Sequence, residues 1–335
     1  MSPRNPGARG KRATILDVAA AAGVSRQTVT RAMNDMTGIS RETRERVQKL
    51  AVEMGYTPSR FARGLVQGAR ISVGLAIPDL TNPYFPAFAS SVVEAATERE
   101  WNVVVDDYGH GSGTPADAAA RLSPHVDALI GYLEPDPEGA QELLGRRPVV
   151  GLDSPGAGTA GGIAFDYHYA AMLALTHLAA RGCRKVAYLD SDQGGTPSSR
   201  SVAAAAVAAQ AGVELTRIEA QPEAAAARSA VAQLAQAGER PDGILAFNDL
   251  MAAGALKALD DFGLSVPGEC AVIGMDGIPM GELLTPELTT LSLDLRGVGR
   301  AAVGLLEGLL SGSVQDRSPQ AYLTLQHQLV LRQSA

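Results

Sequence analysis

The sequence predicts a small all-α head of helix-turn-helix type joined to an α/β core of two lobes, each built on a parallel sheet. Three observations carry this. Two short helical patterns meet at a glycine in the stretch ILDVAAAAGVSRQTVTRAM, Ile15–Met33. Strand-like and helix-like segments alternate from Ile71, and the alternation starts afresh after Asp166. Charge divides unevenly: residues 1–70 hold 13 Lys+Arg against 5 Asp+Glu, a net +8, and residues 71–335 hold 16 against 31, a net −15. A basic head on an acidic body is the footprint of a nucleic-acid-binding module joined to one that binds something else.

In the head, Leu16, Val18, Ala19 and Ala22 recur at helical spacing. Gly23 can take the left-handed conformation that ends a helix, and the Ser25 hydroxyl can accept from an orphan N–H to start the next. A helix over 25–34, wound at about 100° per residue, sets Arg26, Gln27, Thr30, Arg31 and Asn34 on one arc. Val29, Ala32 and Met33 fall on the opposite one. The first arc suits the DNA major groove: Arg to guanine, Gln or Asn to adenine, Thr to a phosphate or a thymine methyl. Taken alone, a helix–Gly–helix also fits an ordinary solvated face. Ser40–Met54 reads as a third helix, capped by Ser40, with Val47, Leu50, Ala51 and Met54 as its apolar stripe and Gly55 at its end. Residues 1–13, rich in Pro, Gly and Arg, read as a disordered arm.

Residues 58–69 form a linker. Two glycines weaken its helical pattern, so it should not be a stable helix by itself. Phe61 and Leu65 are spaced i, i+4, with Arg60 and Arg63 flanking them. Such a segment either folds on DNA with an apolar wedge for the minor groove or is a plain linker whose Phe and Leu pack on the body.

The core then follows in order. Strands are expected at ISVGLAIPD, WNVVVDD, DALIGYL, PVVGLD and GIAFD, with helices over Phe85–Arg99, Pro115–Leu122 and Glu138–Leu144 between them. The second run has helix Tyr169–Arg181, strand KVAYLD, helix Ser198–Ala211, strand VELTRIEA, helix Glu223–Ala237, strand GILAFND, helix Leu250–Phe262 and strand CAVIGMD. Ligands in such sheets sit beyond the strand C-termini. That draws attention to Pro78, Asp79, Asp106, Asp153, Asp190, Asn248, Asp249 and Asp276.

A chain of 335 residues exceeds one ordinary core, and 46% hydrophobic with 19% charged residues fits a soluble globular protein. No apolar run reaches the ~20 residues of a membrane span, and the basic N-terminus has no apolar stretch behind it to act as a secretory signal. The two cysteines, Cys183 and Cys270, fit a reducing compartment and read as buried small hydrophobes.

Six stretches identify a resemblance: TILDVAAAAGVSRQTVTRAMN, GYTPSRFARGL, PDLTNPYFPAF, AFNDLMAAGALKAL, VPGECAVIGMD and PELTTL. Over residues 14–332 the chain resembles the LacI/GalR family of transcriptional regulators. The resemblance implies a helix-turn-helix DNA-binding domain over 14–57, a hinge over 58–69 and a periplasmic-binding-protein-like core over 70–335. The first lobe is expected over about 70–163 and 293–319, the second over about 164–290 and 320–335. The crossings are expected near Gly162–Tyr167, Thr289–Leu293 and Ser318–Tyr322. It further implies a homodimer that binds a palindromic operator in double-stranded DNA, a repressor by default, located in the cytoplasm on the nucleoid. By the same resemblance Arg26, Gln27 and Arg31 read bases, Asn34 contacts phosphate and Leu65 is the minor-groove wedge. Thr14, Ser25, Thr28, Thr30, Tyr56, Ser59, Arg60, Ala62 and Arg63 complete the DNA-contacting set. Asp153, Arg200, Asn248 and Asp276 match positions that bind a small-molecule effector, a sugar or related metabolite, with Tyr84, Phe85 and Pro86 as a wall. Arg offers a planar fork to vicinal hydroxyls, Asp and Asn accept and donate, and a ring face packs on a sugar or base. Asn248–Asp249 also reads as a helix cap, and Asp153 and Asp276 as strand-end turn formers.

The chain departs from the family at Ala203 and Ala204, where Gly-Phe is usual, at Leu293, where a polar residue is common, and at Gly277, where a second Asp is frequent. These changes leave the ligand class open. No heptad segment follows the last strand-like stretch, HQLVLRQ, so a dimer is expected rather than a coiled-coil tetramer. No catalytic residue, cofactor, metal site or membrane contact is expected. A dinucleotide enzyme would need more than the weak G-x-G-x-x-G match of Gly156–Gly161, which no helix follows promptly. There is no G-x-S-x-G, H-E-x-x-H or Walker loop, and His110, His125, His168, His177 and His327 lack metal spacing. A free solute-binding protein would share the core but not the basic head. A regulator that has lost effector control is the remaining alternative.

Overall fold

The computed structural model describes residues 15–33, 37–54, 70–109, 113–154, 158–192 and 194–335. The arm, the hinge, Thr14, Asn34, Gly55, Tyr56, Ser59, Arg60, Ala62, Arg63 and Leu65 lie outside the described residues. The chain divides into two compact units, Met1–Ile71 and Ser72–Ala335.

In the first unit, Ile15–Ala22 (α1), Arg26–Met33 (α2) and Arg41–Glu53 (α3) are helical. Gly23 takes φ +65° between α1 and α2, where a residue with a Cβ would be strained. The Thr28 N–H donates to Ser25 Oγ at 3.1 Å and the Thr43 N–H to Ser40 Oγ at 3.2 Å, so both serines cap their helices. Val18, Val29, Ala32, Val47 and Ala51 are fully buried where the three helices meet, with Met33, Leu50 and Met54 packed around them. Gln48 Nε2 donates to the Ala32 carbonyl at 3.0 Å and thereby ties α3 to the end of α2.

The second unit starts with Ser72–Ile77 (β1), Tyr84–Thr97 (α4), Asn102–Asp107 (β2), Pro115–Leu122 (α5), Ala128–Tyr132 (β3), Pro137–Leu144 (α6), Val149–Leu152 (β4) and Gly161–Phe165 (β5). It continues with Tyr167–Ala180 (α7), Lys185–Ser191 (β6), Ser199–Ala211 (α8), Glu214–Ala220 (β7), Ala224–Gln236 (α9), Gly243–Ala246 (β8), Asp249–Asp261 (α10) and Ala271–Asp276 (β9). Thr289–Ser292 (β10), Leu295–Ser311 (α11), Tyr322–Leu325 (β11) and Gln328–Val330 (β12) complete it. One sheet has the order β11-β5-β4-β3-β1-β2, the other β12-β10-β9-β8-β6-β7. Every pairing is parallel except β10 with β12. The central strands are buried on both faces, as helix-covered parallel sheets require, so Val73, Leu75, Leu129, Ile130, Val149, Val150 and Leu152 read as continuous apolar runs.

Helix α11 was not anticipated from the sequence. Four glycines dilute its helical pattern, yet Val298, Ala302, Val303 and Leu306 are buried. A Cβ at Gly299 would lie 2.3 Å from Ser91 Oγ, so that glycine lets α11 close on α4.

Three segments cross between the lobes: Asp166 after β5, Leu293–Asp294 after β10, and Gln326–His327 after β11. The last crossing lies later than the sequence places it. Tyr322–Leu325 still pairs with Gly162–Phe165 of the first sheet, so the chain completes that sheet's edge before it turns to the second. The first and third crossings are joined: the Asp166 N–H donates to the Leu325 carbonyl at 2.9 Å and Gln326 Nε2 to the Asp166 carboxylate at 3.2 Å. His327 is 2% exposed there, with its ring 5.8 Å from that of Tyr167 and 6.1 Å from that of Phe165.

Within the second lobe, Asp249 is fully buried. It accepts from Thr290 Oγ1 at 2.6 Å and from the Ile278 N–H at 2.8 Å, binding α10 to β10 and to the turn after β9. A Cβ at Gly274 would sit 2.1 Å from its carboxylate, so the glycine makes room for it.

Asp249→Ala strands a buried hydroxyl and a buried N–H; the expected loss is roughly 2–4 kcal/mol in urea unfolding, and a loss near zero would contradict the clamp. Burial holds the His327 imidazole down to a pKa of about 3, against about 6.5 in an unfolded chain. In that window only the unfolded chain takes the proton, so stability falls as pH drops from about 6.5 towards 3, by up to about 1.4 kcal/mol per unit. His327→Phe should remove about one proton from the acid-unfolding slope; an unchanged slope would refute the assignment.

Candidate functional site

On the head, Arg26 and Gln27 are exposed on the outer face of α2, and Thr28, Thr30 and Arg31 are half-buried. Two hydroxyls of this face are engaged locally. Ser25 Oγ accepts from the Thr28 N–H, and Thr30 Oγ1 donates to the Arg26 carbonyl at 3.1 Å. The Arg31 guanidinium lies over Gly38, whose φ is +94° and whose added Cβ would be 2.9 Å from Nη1. Arg26 and Gln27 thus present long hydrogen-bonding side chains to solvent from a helix whose other face, through Val29 and Ala32, is locked in the core.

In the second unit, the residues the sequence singled out come from both lobes and converge. Tyr84 and Phe85 open α4, and Asp153 follows β4. Arg200 lies in the first turn of α8, Asn248 caps α10 and Asp276 ends β9. Asp153 takes φ +54° and Asp276 φ +124°. Residues with a Cβ rarely adopt such a backbone, and where they do it commonly marks a functional turn.

Arg200 is the centre. Its Nη1 donates to the Phe247 carbonyl at 2.5 Å and lies 3.5 Å from Asp276 Oδ1. Its Cζ stands 4.3 Å from the centroid of the Phe247 ring and 5.2 Å from that of Tyr167, both within cation–π range. Burial works against its charge, but Tyr167, Asp276, Asp153 and Tyr188 outweigh it and hold the guanidinium firmly protonated. Burial pushes the Asp276 carboxyl up to about 8, opposed by Arg200 and assisted by Asp249 and Asp153. Asp153 is raised for the same first reason, opposed by Arg200 and by the Tyr167 hydroxyl, which donates to Asp153 Oδ2 at 2.6 Å. On the first-lobe side, the Tyr84 and Tyr132 hydroxyls bond at 2.8 Å. The Phe85 ring meets both edge-on, at 5.2 and 5.3 Å. Carboxyl, phenol and guanidinium groups among ring faces can bind a ligand with several hydroxyls and an apolar face.

Asn248 behaves mainly as a cap: its Oδ1 accepts from the Met251 N–H at 2.8 Å and its Nδ2 donates to the Pro222 carbonyl at 3.3 Å. Other strand-end residues are engaged elsewhere. Asp106 pairs with Arg121, Asp79 closes a turn on Thr81, and Asp249 is the clamp described above. Asp190 is fully buried and accepts from the Ser198 N–H and hydroxyl and from Arg217, holding the turn that leads into Arg200. Sequence reasoning missed Tyr132, Tyr167 and Phe247. All three stand at or just past the C-terminal ends of strands, the same signal that selected the aspartates. Gly277 explains one departure: at φ +72°, a Cβ there would lie 2.1 Å from Ser292 Oγ, so the close turn excludes a second Asp. Leu293 and Ala204 are simply buried. Gly161 begins β5 itself, so no helix N-terminus follows the glycine-rich stretch to receive a phosphate. Among the described residues, no cluster of His, Cys, Asp and Glu could hold a metal ion, and no helix is long and apolar enough to cross a membrane.

Comparison with known proteins agrees with this geometry. Residues 14–59 match the model of bacterial regulatory proteins of the lacI family, and residues 175–335 that of the periplasmic binding protein-like domain. The ribose operon repressor of Halalkalibacterium halodurans is 32% identical over 295 residues, covering 88% of this chain and 89% of that one. A solved LacI family transcriptional regulator from Arthrobacter sp. FB24, in complex with lactose, is 55% identical with a TM-score of 0.77, covering 79% of this chain and 99% of that one. The lac repressor dimer bound to operator and the anti-inducer ONPF is 26% identical with a TM-score of 0.71, over 97% of this chain and 99% of that one. With a DNA-binding head of this type, a two-lobed core and relatives that are regulators rather than enzymes, the chain belongs to the LacI family of transcriptional regulators.

Proposed function

We propose that this regulator is a repressor that binds a palindromic operator as a homodimer and is controlled by a neutral sugar in the cleft between its lobes. The observation that carries the effector reading is the cluster of Arg200, Asp276, Asp153 and Tyr167, walled by Tyr84, Phe85, Tyr132 and Phe247. Arg200 is already matched by Asp276 and the Phe247 carbonyl, so an anionic ligand would have to displace them. A polyol can donate to the carboxyls, accept from the guanidinium and lay its apolar face on a ring. The lactose bound by the Arthrobacter relative belongs to this chemical class.

A second copy is supported by apolar side chains left in water. Leu283 is 84% exposed, and Leu80, Val93, Val104 and Val105 are exposed on the first lobe, the last two on edge strand β2. On the operator, Arg26, Gln27 and Arg31 read bases, and Ser25, Thr28 and Thr30 support the contact. Thr14, Asn34, Tyr56, Ser59, Arg60, Ala62 and Arg63 add to it, and Leu65 enters the minor groove. Such a regulator works in the cytoplasm, on the nucleoid. The effector acts by linkage: it binds the two lobe arrangements unequally, and the difference, typically ~1–3 kcal/mol, shifts the operator-competent population.

Gln27→Ala and Arg31→Ala should each cost about 1–3 kcal/mol on the specific operator and little on random DNA; equal losses on both would remove them from base reading. In a thermal-shift titration of the full chain, lactose should raise the melting temperature, whereas sugar acids and sugar phosphates should not. Arg200→Ala should erase that shift and the response of operator binding to the sugar, and a response that survives would exclude Arg200 from the site.

A further inference from the structure

Tyr167 has a place that none of the singled-out residues shares. It opens α7 directly after the first crossing, and it touches both lobes at once. Its hydroxyl donates to Asp153 Oδ2 of the first lobe at 2.6 Å, and the Arg200 guanidinium of the second lobe stands 5.2 Å from its ring centroid. The ring is buried and cannot swing freely. His327, on the third crossing, packs against it at 5.8 Å with 34° between the planes, and Phe165 closes another side at 6.4 Å. The backbone beneath it is fixed as well, because Asp166 caps α7 by accepting from the Tyr169 N–H at 2.9 Å and accepts also from Gln326.

We infer that Tyr167 is the positioning residue of the effector cleft: it fixes the Asp153 carboxylate and the Arg200 guanidinium at one spacing, and so sets which hydroxyl-bearing ligand can bridge the lobes. This rests on the reading of the cleft as the effector site. Asp153 needs such a partner. It is withdrawn from water, which raises its carboxyl, and Glu134 raises it further. Arg200 and the Tyr167 hydroxyl favour its ionised form. A carboxylate accepts hydrogen bonds from a sugar at both oxygens, and a protonated carboxyl accepts poorly. The Tyr167 hydroxyl therefore holds Asp153 in its better accepting state as well as in place.

The test is Tyr167→Phe in the full chain, which keeps the ring under Arg200 and against His327 and removes only the hydroxyl. Lactose is the probe, titrated calorimetrically over a series of pH values, with Asp276 common to both proteins. Loss of the hydroxyl raises Asp153 further, so the variant should bind about ten-fold more weakly, and on acidification its affinity should begin to fall at a higher pH than that of wild type. Tyr167→Leu, which also frees Arg200, should bind more weakly still. An unchanged affinity in Tyr167→Phe, or a pH profile that differs from wild type only by a uniform loss, would overturn the inference. Amide exchange without ligand adds an independent arm: residues 152–154 and 165–169 should exchange faster in Tyr167→Phe, and unchanged rates would overturn it. If lactose fails to bind the wild type, the effector reading fails at that point, and the exchange arm alone decides the role of Tyr167.

Discussion

A guanidinium withdrawn from water between two aromatic rings is tolerable only if its donors and its charge are answered nearby, since the desolvation of an ion in a protein interior costs several kcal/mol. Arg200 is that guanidinium, and much of the core can be understood as what it requires. The Phe247 carbonyl and Asp276 take up its Nη1, and the faces of Phe247 and Tyr167 supply attraction without further charge. Its own helix must begin at one spot, and there Ser198 caps α8 by accepting from the Ser201 N–H at 3.1 Å. Asp190, buried beneath, holds Ser198 and is itself held by Arg217. The network runs from an exposed strand edge to the centre of the cleft with each carboxylate partnered.

The same centre explains the unusual backbone. Asp153, just past β4, and Asp276, the last residue of β9, both take positive φ. Such turns demand space beside them. Gly277 next to Asp276 cannot carry a Cβ because Ser292 occupies its place, and Gly274, two residues before Asp276, yields to Asp249. The clamp made by Asp249 and the tilt of Asp276 are therefore parts of one local packing solution. A change in either propagates through buried, hydrogen-bonded groups with no solvent to absorb it.

Where the lobes join, the chain uses hydrogen bonds and rings rather than a continuous apolar core. Asp166 binds the first crossing to the third, and His327 and Phe165 brace Tyr167 between them. Under the proposed function, such directional contacts would let occupancy of the cleft alter something elsewhere in the chain, since an interdigitated core resists sliding.

Much was legible in the sequence because it is local. The period of Val18, Val29 and Val47, the caps at Ser25 and Ser40, and the glycine between α1 and α2 are dictated by residues a few positions apart. The alternation of apolar runs with amphipathic stretches likewise announced two parallel-sheet lobes, the rule that ligands lie past strand ends selected Asp153 and Asp276, and the family resemblance added Arg200. Helix α11 escaped because its glycines dilute the pattern, and they are there to let it close on Ser91, a contact between residues 208 positions apart. The third crossing escaped because YLTL has no distinctive texture; only its pairing with β5 shows that it belongs to the first sheet. Tyr132, Tyr167, Phe247 and His327 gained their roles only from the folded chain. By itself the sequence determined most of the elements, α11 and β11 excepted, since those preferences act over one or two turns. Which side chain answers the charge of Arg200, and which aspartate is a clamp rather than a ligand, the tertiary structure alone decided, because burial and partner distance are properties of residues that meet only after folding.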